Sequence, residues 1–300
     1  MTPAGRFSFG HARAEAGDFI RRVWNKADQD QIFFMAGAIA FNVLIAIVPL
    51  VLAALGITGL ILRNSYPGAP TVVLEQAIRQ ALPAVSTDFI NGILNPLNDI
   101  IDNSKSVTVL GITAFVWFAT RLVGTLRTAL REIFDLQHER SIIAGKIFDV
   151  QMVVVAGALL ALSVSITVIL EYIAARSRAV LDVHVSNINF WQTLYLNSFA
   201  FVSIWVMFLL IYRYLPIRRI HWRTALISTT FTSVIFEMLK RLFGLYVKSA
   251  NIGALYTSLS VAAIVVIWVY YASVAFILGG EVGQVWTLRR IRRRQKERLG

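Results

Sequence analysis

From Gln31 to Leu62 the chain carries no Asp, Glu, Lys or Arg, a stretch that a water-soluble domain has no means of burying. A bilayer core about 30 Å thick is crossed by about 20 apolar residues of helix, and only structures that satisfy every backbone polar group internally can cross it. Five further runs qualify as candidates: Ser106–Thr120, Val150–Leu170, Asn189–Tyr212, Thr224 to about Val247, and Ala254–Gly280. Composition agrees, with 57% apolar side chains against 15% charged ones and a mean hydropathy of +0.65. These runs predict an all-α integral membrane protein with six transmembrane helices.

The second run is short, and reaches spanning length by continuing to about Thr128 if Arg121 extends its charge to the interface. Alone it also fits a buried or re-entrant segment. Cation placement favours six spans. Of the 29 Lys and Arg, 21 lie in the N-terminal tail, the Arg121–Asp149 and Arg213–Arg223 connections and the tail from Glu281, and 8 in the other three connections. The positive-inside rule places the richer set, with both termini, in the cytoplasm.

The net charge of +12 and pI near 10.4 are thereby explained without nucleic acid. The densest cluster, Arg289–Arg298, directly follows the last span and suits anionic phospholipid headgroups; it lacks the interleaved aromatics of an RNA-binding module. The expected organisation is a cytoplasmic amphipathic segment over 1–30, a six-helix membrane domain over 31–280 and a basic cytoplasmic tail over 281–300. No removable signal peptide is expected, and the first span doubles as the targeting signal.

Within the long outer connection, about 63–105, Val85, Phe89, Ile90, Ile93, Leu94, Leu97, Ile100 and Ile101 share one helical face, opposite Asp88, Asn91, Asn95, Asn98, Asp99 and Asp102. This predicts an outer amphipathic cap segment, or equally a helix packed on neighbouring spans, with Pro96 as a break. Asp18–Asp30, with Arg21, Arg22, Trp24 and Lys26, reads as a cytoplasmic surface helix. Trp191, Tyr195, Tyr212, Tyr214 and Trp222 fall at expected interfaces, where aromatic side chains anchor a span.

Enzymes would leave sharper marks than any present. Cysteine is absent, and His11, His138, His184 and His221 are scattered, with no paired metal-ligand spacing. No phosphate-binding loop, dinucleotide fingerprint or nucleophile elbow occurs. The expectation is therefore no enzyme, no catalytic residue, no metal and no cofactor.

Polar residues inside the spans are the remaining candidates, because a charge there costs a few kcal/mol and usually faces a protein interior or a wet cavity. Glu237 and Arg241 stand four apart in the favourable acid-first order, with Lys240 beside them. They fit a polar pathway or a structural ion pair. Thr230 and Ser233, with Ser228, Thr229 and Thr232, supply hydroxyls that line a hydrated path or bond across helices. Asn42 and Pro49 are seven apart on one face, and Pro49 frees the carbonyl of Ile45. Glu171 and Glu281 sit near span ends, where solvated or interfacial roles are expected. Arg127, Arg131, Glu132 and Asp135 form the polar side of a cytoplasmic helix backed by Leu122, Leu126, Leu130 and Ile133.

Two segments, MAGAIAFNVLIAIVPL over Met35–Leu50 and YTSLSVAAIVVIWVYYASVAFILGGE over Tyr256–Glu281, resemble the YihY/virulence factor BrkB family of bacterial inner-membrane proteins. The resemblance extends over nearly the whole chain and marks Tyr256, Ser258, Trp268, Gly279 and Glu281 as motif residues. It implies an inner-membrane protein linked with envelope integrity and with transport, including lipid movement. The family has also carried a ribonuclease label, which no residue constellation in this chain supports.

The expected function is a transporter or lipid-translocating protein for an anionic or lipid substrate, with Glu237, Lys240, Arg241 and the Asn42–Pro49 face forming a polar groove. A non-transporting scaffold is the competing class. Expected partners are membrane lipids, and further a second copy of the chain or an envelope protein.

Overall fold

The structure, a computed structural model, describes residues 9–65, 99–136, 145–158, 186–216, 218–249 and 257–299. Six long helices organise them: α1 Phe9–Gln29, α2 Ile32–Ser65, α3 Ser104–Ile133, α4 Ser186–Tyr214, α5 Trp222–Ser249 and α6 Thr257–Leu299. A further helical stretch covers 145–158. Among the described residues, three segments are long and apolar enough to cross a membrane: Ile32–Ser65, Ser104–Ile133 and Ala262–Arg292, while Ser198–Tyr214 is a shorter apolar helix. The second expected span is thus part of one unbroken helix. α5 falls short because charges interrupt its apolar run. Most of the expected third span and of the expected cap segment lies outside the described residues.

The chain divides into two compact units, Phe41–Leu122 and the remainder, Met1–Ala40 with Val123–Gly300. In the first, the later part of α2 packs against the early part of α3 through glycines. A Cβ on Gly56 would stand 2.5 Å from Thr108 Oγ1, and one on Gly111 would stand 2.5 Å from the backbone nitrogen of Ala53. Small residues of this kind let membrane helices approach backbone to backbone, where lipid supplies no hydrophobic drive. Pro49 is buried in this unit, and Asn42 is half-buried. Val48, Val51, Ile57, Ile61, Val109, Leu110 and Trp117 are exposed, as lipid-facing side chains are.

In the second unit α5 and α6 run antiparallel along a stripe of small residues. Thr224 meets Thr287 by a 2.6 Å hydroxyl contact, Ser228 faces Gly283, and Thr232 faces Gly279, so each helix advances by four residues. A Cβ on Gly279 would collide with Thr232 Oγ1 and lie 2.9 Å from Tyr212 Oη. Tyr212 is not an interfacial anchor but a core residue. Its ring stacks on Phe276 at 5.0 Å, and its hydroxyl bonds Thr232 Oγ1 at 2.7 Å and the Phe276 carbonyl. The reason is local: a stripe with no side-chain bulk leaves a slot that the ring fills and hydroxyls that its Oη satisfies. Tyr214 and Trp222 do take cations, Arg219 at 5.9 Å and Arg213 at 4.8 Å.

Candidate functional site

The charged residues expected within the fifth span form a local group. Lys240 Nζ lies 2.6 Å and Arg241 Nε 3.3 Å from the two oxygens of Glu237, all on α5. Lys240 and Arg241 are 46% and 76% exposed, so the triad lies along one helix flank and not in an enclosed chamber. Thr230 is exposed and takes a 3.2 Å bond from Trp205 Nε1, whereas Ser233 is buried. Thus the hydroxyl series of α5 splits: Ser228 and Thr232 serve the α6 contact, and Thr230 serves α4.

A second group of charges joins three elements. Lys26, in the last turn of α1, bonds Asp30 Oδ1 and Asp135 Oδ1, each at 3.1 Å, and approaches Asp30 Oδ2 at 2.8 Å. Gln284 on α6 donates to Asp135 Oδ2 at 3.3 Å. Glu281, one turn earlier on α6, is 0% exposed, and neither of its oxygens has a hydrogen-bond partner among the described residues. Its carboxyl faces that of Asp30, with Lys26 and Asp135 as the other charged neighbours. Two ionised carboxylates only accept hydrogen bonds, so a bond between these facing groups requires that one of them carry a proton. The expected solvated role for Glu281 is therefore corrected. α6 does not end at Gly280 but continues to Leu299, so the residue stays packed against α1 instead of entering a free tail.

Backbone geometry fixes two of these positions. α3 closes with Leu136 N–H on the Arg131 carbonyl at 3.0 Å and Asp135 N–H on the Glu132 carbonyl at 3.1 Å. This doubly bonded helix end puts Asp135 in the left-handed region, at φ 51°, where glycine is usual. Asp tolerates that conformation better than most residues, and here its side chain reaches Lys26 and Gln284. Gln31 has φ 50° at the α1–α2 junction, which allows α2 to restart directly after Asp30. Burial disfavours the charged form of Lys26, but the carboxylates of Asp30 and Asp135 outweigh it and hold its ammonium above the ordinary lysine value of 10.5.

Beside this group is a cavity of about 480 Å³. Its polar lining includes Asp30, Gln31, Thr125, Thr128 and Glu132, and its apolar lining Phe34, Met35, Ala38 and Ala129. Behind its α3 wall, Arg127 pairs with the buried Asp149 at 3.2 Å and bonds the Gly145 carbonyl at 3.1 Å. The polar side of this helix, expected from Arg127, Arg131, Glu132 and Asp135, is thus largely engaged with protein. No group of three or more His, Asp or Glu among the described residues is arranged to hold a metal ion.

Of the motif residues, Gly279 and Glu281 are buried on α6, and Trp268 packs within an aromatic cluster, edge-to-face with Phe236 at 5.5 Å and tilted against Phe243 at 5.0 Å. Tyr256 and the Ser258 side chain lie outside the described residues. Sequence reasoning missed Lys26 and Asp30 as a pair and Asp135 as their partner. The available signal was the i, i+4 spacing of Lys26 and Asp30; the contact to Asp135 spans 109 positions and leaves none.

Long apolar helices, a partly buried ionic junction and a cavity of mixed lining are features of a helical membrane protein. Residues 23–299 match the Virulence factor BrkB family, and the chain belongs to it. It is similar to UPF0761 membrane proteins: 28% identical to one of Chlorobium phaeobacteroides over 88% of this chain and 56% of that protein, and 27% identical to one of Psychromonas ingrahamii over 88% and 86%. One of Aeromonas salmonicida is 25% identical over 91% of each chain. The chain therefore spans little more than half the length of the Chlorobium relative. No solved structure matches it.

Proposed function

We propose that the protein is a non-enzymatic lipid-translocating transporter of the bacterial inner membrane, with both termini in the cytoplasm and a role in envelope integrity. The observation that carries this reading is the cavity of about 480 Å³ beside the Lys26–Asp30–Glu281 junction. Its volume lies in the range of about 300–1,000 Å³ typical of small-molecule sites. Its lining combines apolar and polar residues, which suits a headgroup joined to acyl chains. Asp30 and Glu132 in that lining repel a bare anion, so an amphiphile fits better than a small anion. The orientation rests on the cation-rich connections and tails. The sequence holds no ATP-binding loop, and passive exchange between leaflets needs none.

The scaffold reading draws on the same ionic junction, which is able simply to clamp α1 to α6. Reconstitution separates the two. Purified protein in liposomes is expected to speed leaflet exchange of a fluorescent phosphatidylethanolamine, and Asp30→Asn to slow that exchange by about tenfold, about 1.4 kcal/mol in barrier, without loss of folded protein. Exchange no faster than in protein-free liposomes would remove the transport reading.

A further inference from the structure

A second, smaller recess lies between α1 and α6, with a volume of about 180 Å³. α1 contributes Arg22, Asn25, Lys26 and Gln29; α6 contributes Val285, Leu288, Arg289 and Arg292. Both sets follow the i, i+3, i+4, i+7 spacing, so each is a single helical face. The lining holds three arginines and Lys26, the last already paired with Asp30 and Asp135 outside the lining.

Like charges at this spacing repel along each helix, and two such faces brought together repel further. An anion between them adds an attraction to each cation that offsets this repulsion. Lys26 contributes from a fixed position, because Asp30 and Asp135 hold its ammonium. Arginine forks match phosphate oxygens geometrically. The recess is too small to enclose a drug-sized molecule and has room for a phosphate group with its acyl chains outside. The exposed Trp24, Ile20, Leu288 and Ile291 on the same two helices offer apolar surface of the kind that seats at a membrane interface.

We infer that the recess formed by Arg22, Lys26, Arg289 and Arg292 binds the phosphate of an anionic phospholipid headgroup at the membrane surface. The inference rests on the membrane setting and not on translocation, since binding is an equilibrium property. It also differs from general attraction to a basic tail, because only cations on these two faces count. Arg290 and Arg294, on the same helix but outside the recess, provide the contrast; Arg290 lies over the Trp286 ring at 5.6 Å.

The test titrates full-length protein in nonionic detergent with a phosphatidylglycerol fluorescently labelled on an acyl chain. Arg22→Gln with Arg292→Gln is expected to weaken binding by about tenfold, and Arg290→Gln with Arg294→Gln by less than about twofold, although both pairs remove two charges. If the first pair does not elute as the wild type does, Arg292→Gln alone carries the test, with an expected loss of about threefold. Equal losses from recess and outside pairs would overturn the proposal in favour of diffuse attraction, and no loss from the recess variants would overturn it outright. Displacement of the lipid by an equal concentration of inorganic phosphate would also overturn it, because the recess would then recognise a free anion.

Discussion

The triad on α5 and the junction at Lys26 contain similar residues and arise in opposite ways. Glu237, Lys240 and Arg241 are neighbours on one helix, and their ionic contacts form wherever that helix forms. Lys26, Asp30, Asp135 and Glu281 meet only when α1, the end of α3 and α6 are assembled. The first group keeps its cations in contact with the surroundings; the second buries the carboxyl of Glu281 against that of Asp30. Local charge pairs stabilise a helix modestly, whereas burying one carboxyl group against another is costly.

Breaking the junction should give the largest change. Lys26→Met leaves the facing carboxylates of Asp30 and Glu281 without their cation, and is expected to destabilise the protein on the order of 3 kcal/mol, measured by thermal unfolding in detergent followed by Trp fluorescence. Glu281→Gln should act in the reverse direction. Replacing the buried carboxyl with an amide, which stays neutral and can donate to Asp30, is expected to be neutral or to stabilise by up to about 1 kcal/mol, while abolishing leaflet exchange.

The pH dependence of stability sharpens the contrast further. Because the folded state raises the Lys26 value, its contribution is complete below the ordinary lysine value of 10.5 and is lost as pH rises through the folded value. The unfolding midpoint should therefore fall in that alkaline window, and Lys26→Arg, which keeps its proton there, should shrink the fall. The smallest effect belongs to the triad. Glu237→Gln is expected to change stability by less than about 1 kcal/mol, as exposed ion pairs do.

Much of the fold was legible because lipid imposes a strict condition on composition. The uncharged run from Gln31 to Leu62 became most of α2, and Ser106–Thr128 became the body of α3. The hydroxyl series of α5 was visible too, but its pairing was not, since the match of Thr224, Ser228 and Thr232 to Thr287, Gly283 and Gly279 depends on the register of two antiparallel helices. Glu281 was hardest to place. Its sequence neighbourhood, apolar before and basic after, is that of a span end, and only the continuation of α6 against α1 buries it. Asp135 left no signal, because its role comes from a left-handed helix end facing a lysine 109 positions away.

The most direct test compares Glu281→Gln with Glu237→Gln in liposomes carrying fluorescent phosphatidylethanolamine, at equal amounts of folded protein. If the buried junction beside the cavity serves translocation, Glu281→Gln loses rapid leaflet exchange and Glu237→Gln retains it. Rapid exchange by Glu281→Gln together with its loss in Glu237→Gln would contradict the account and move the pathway to the flank of α5.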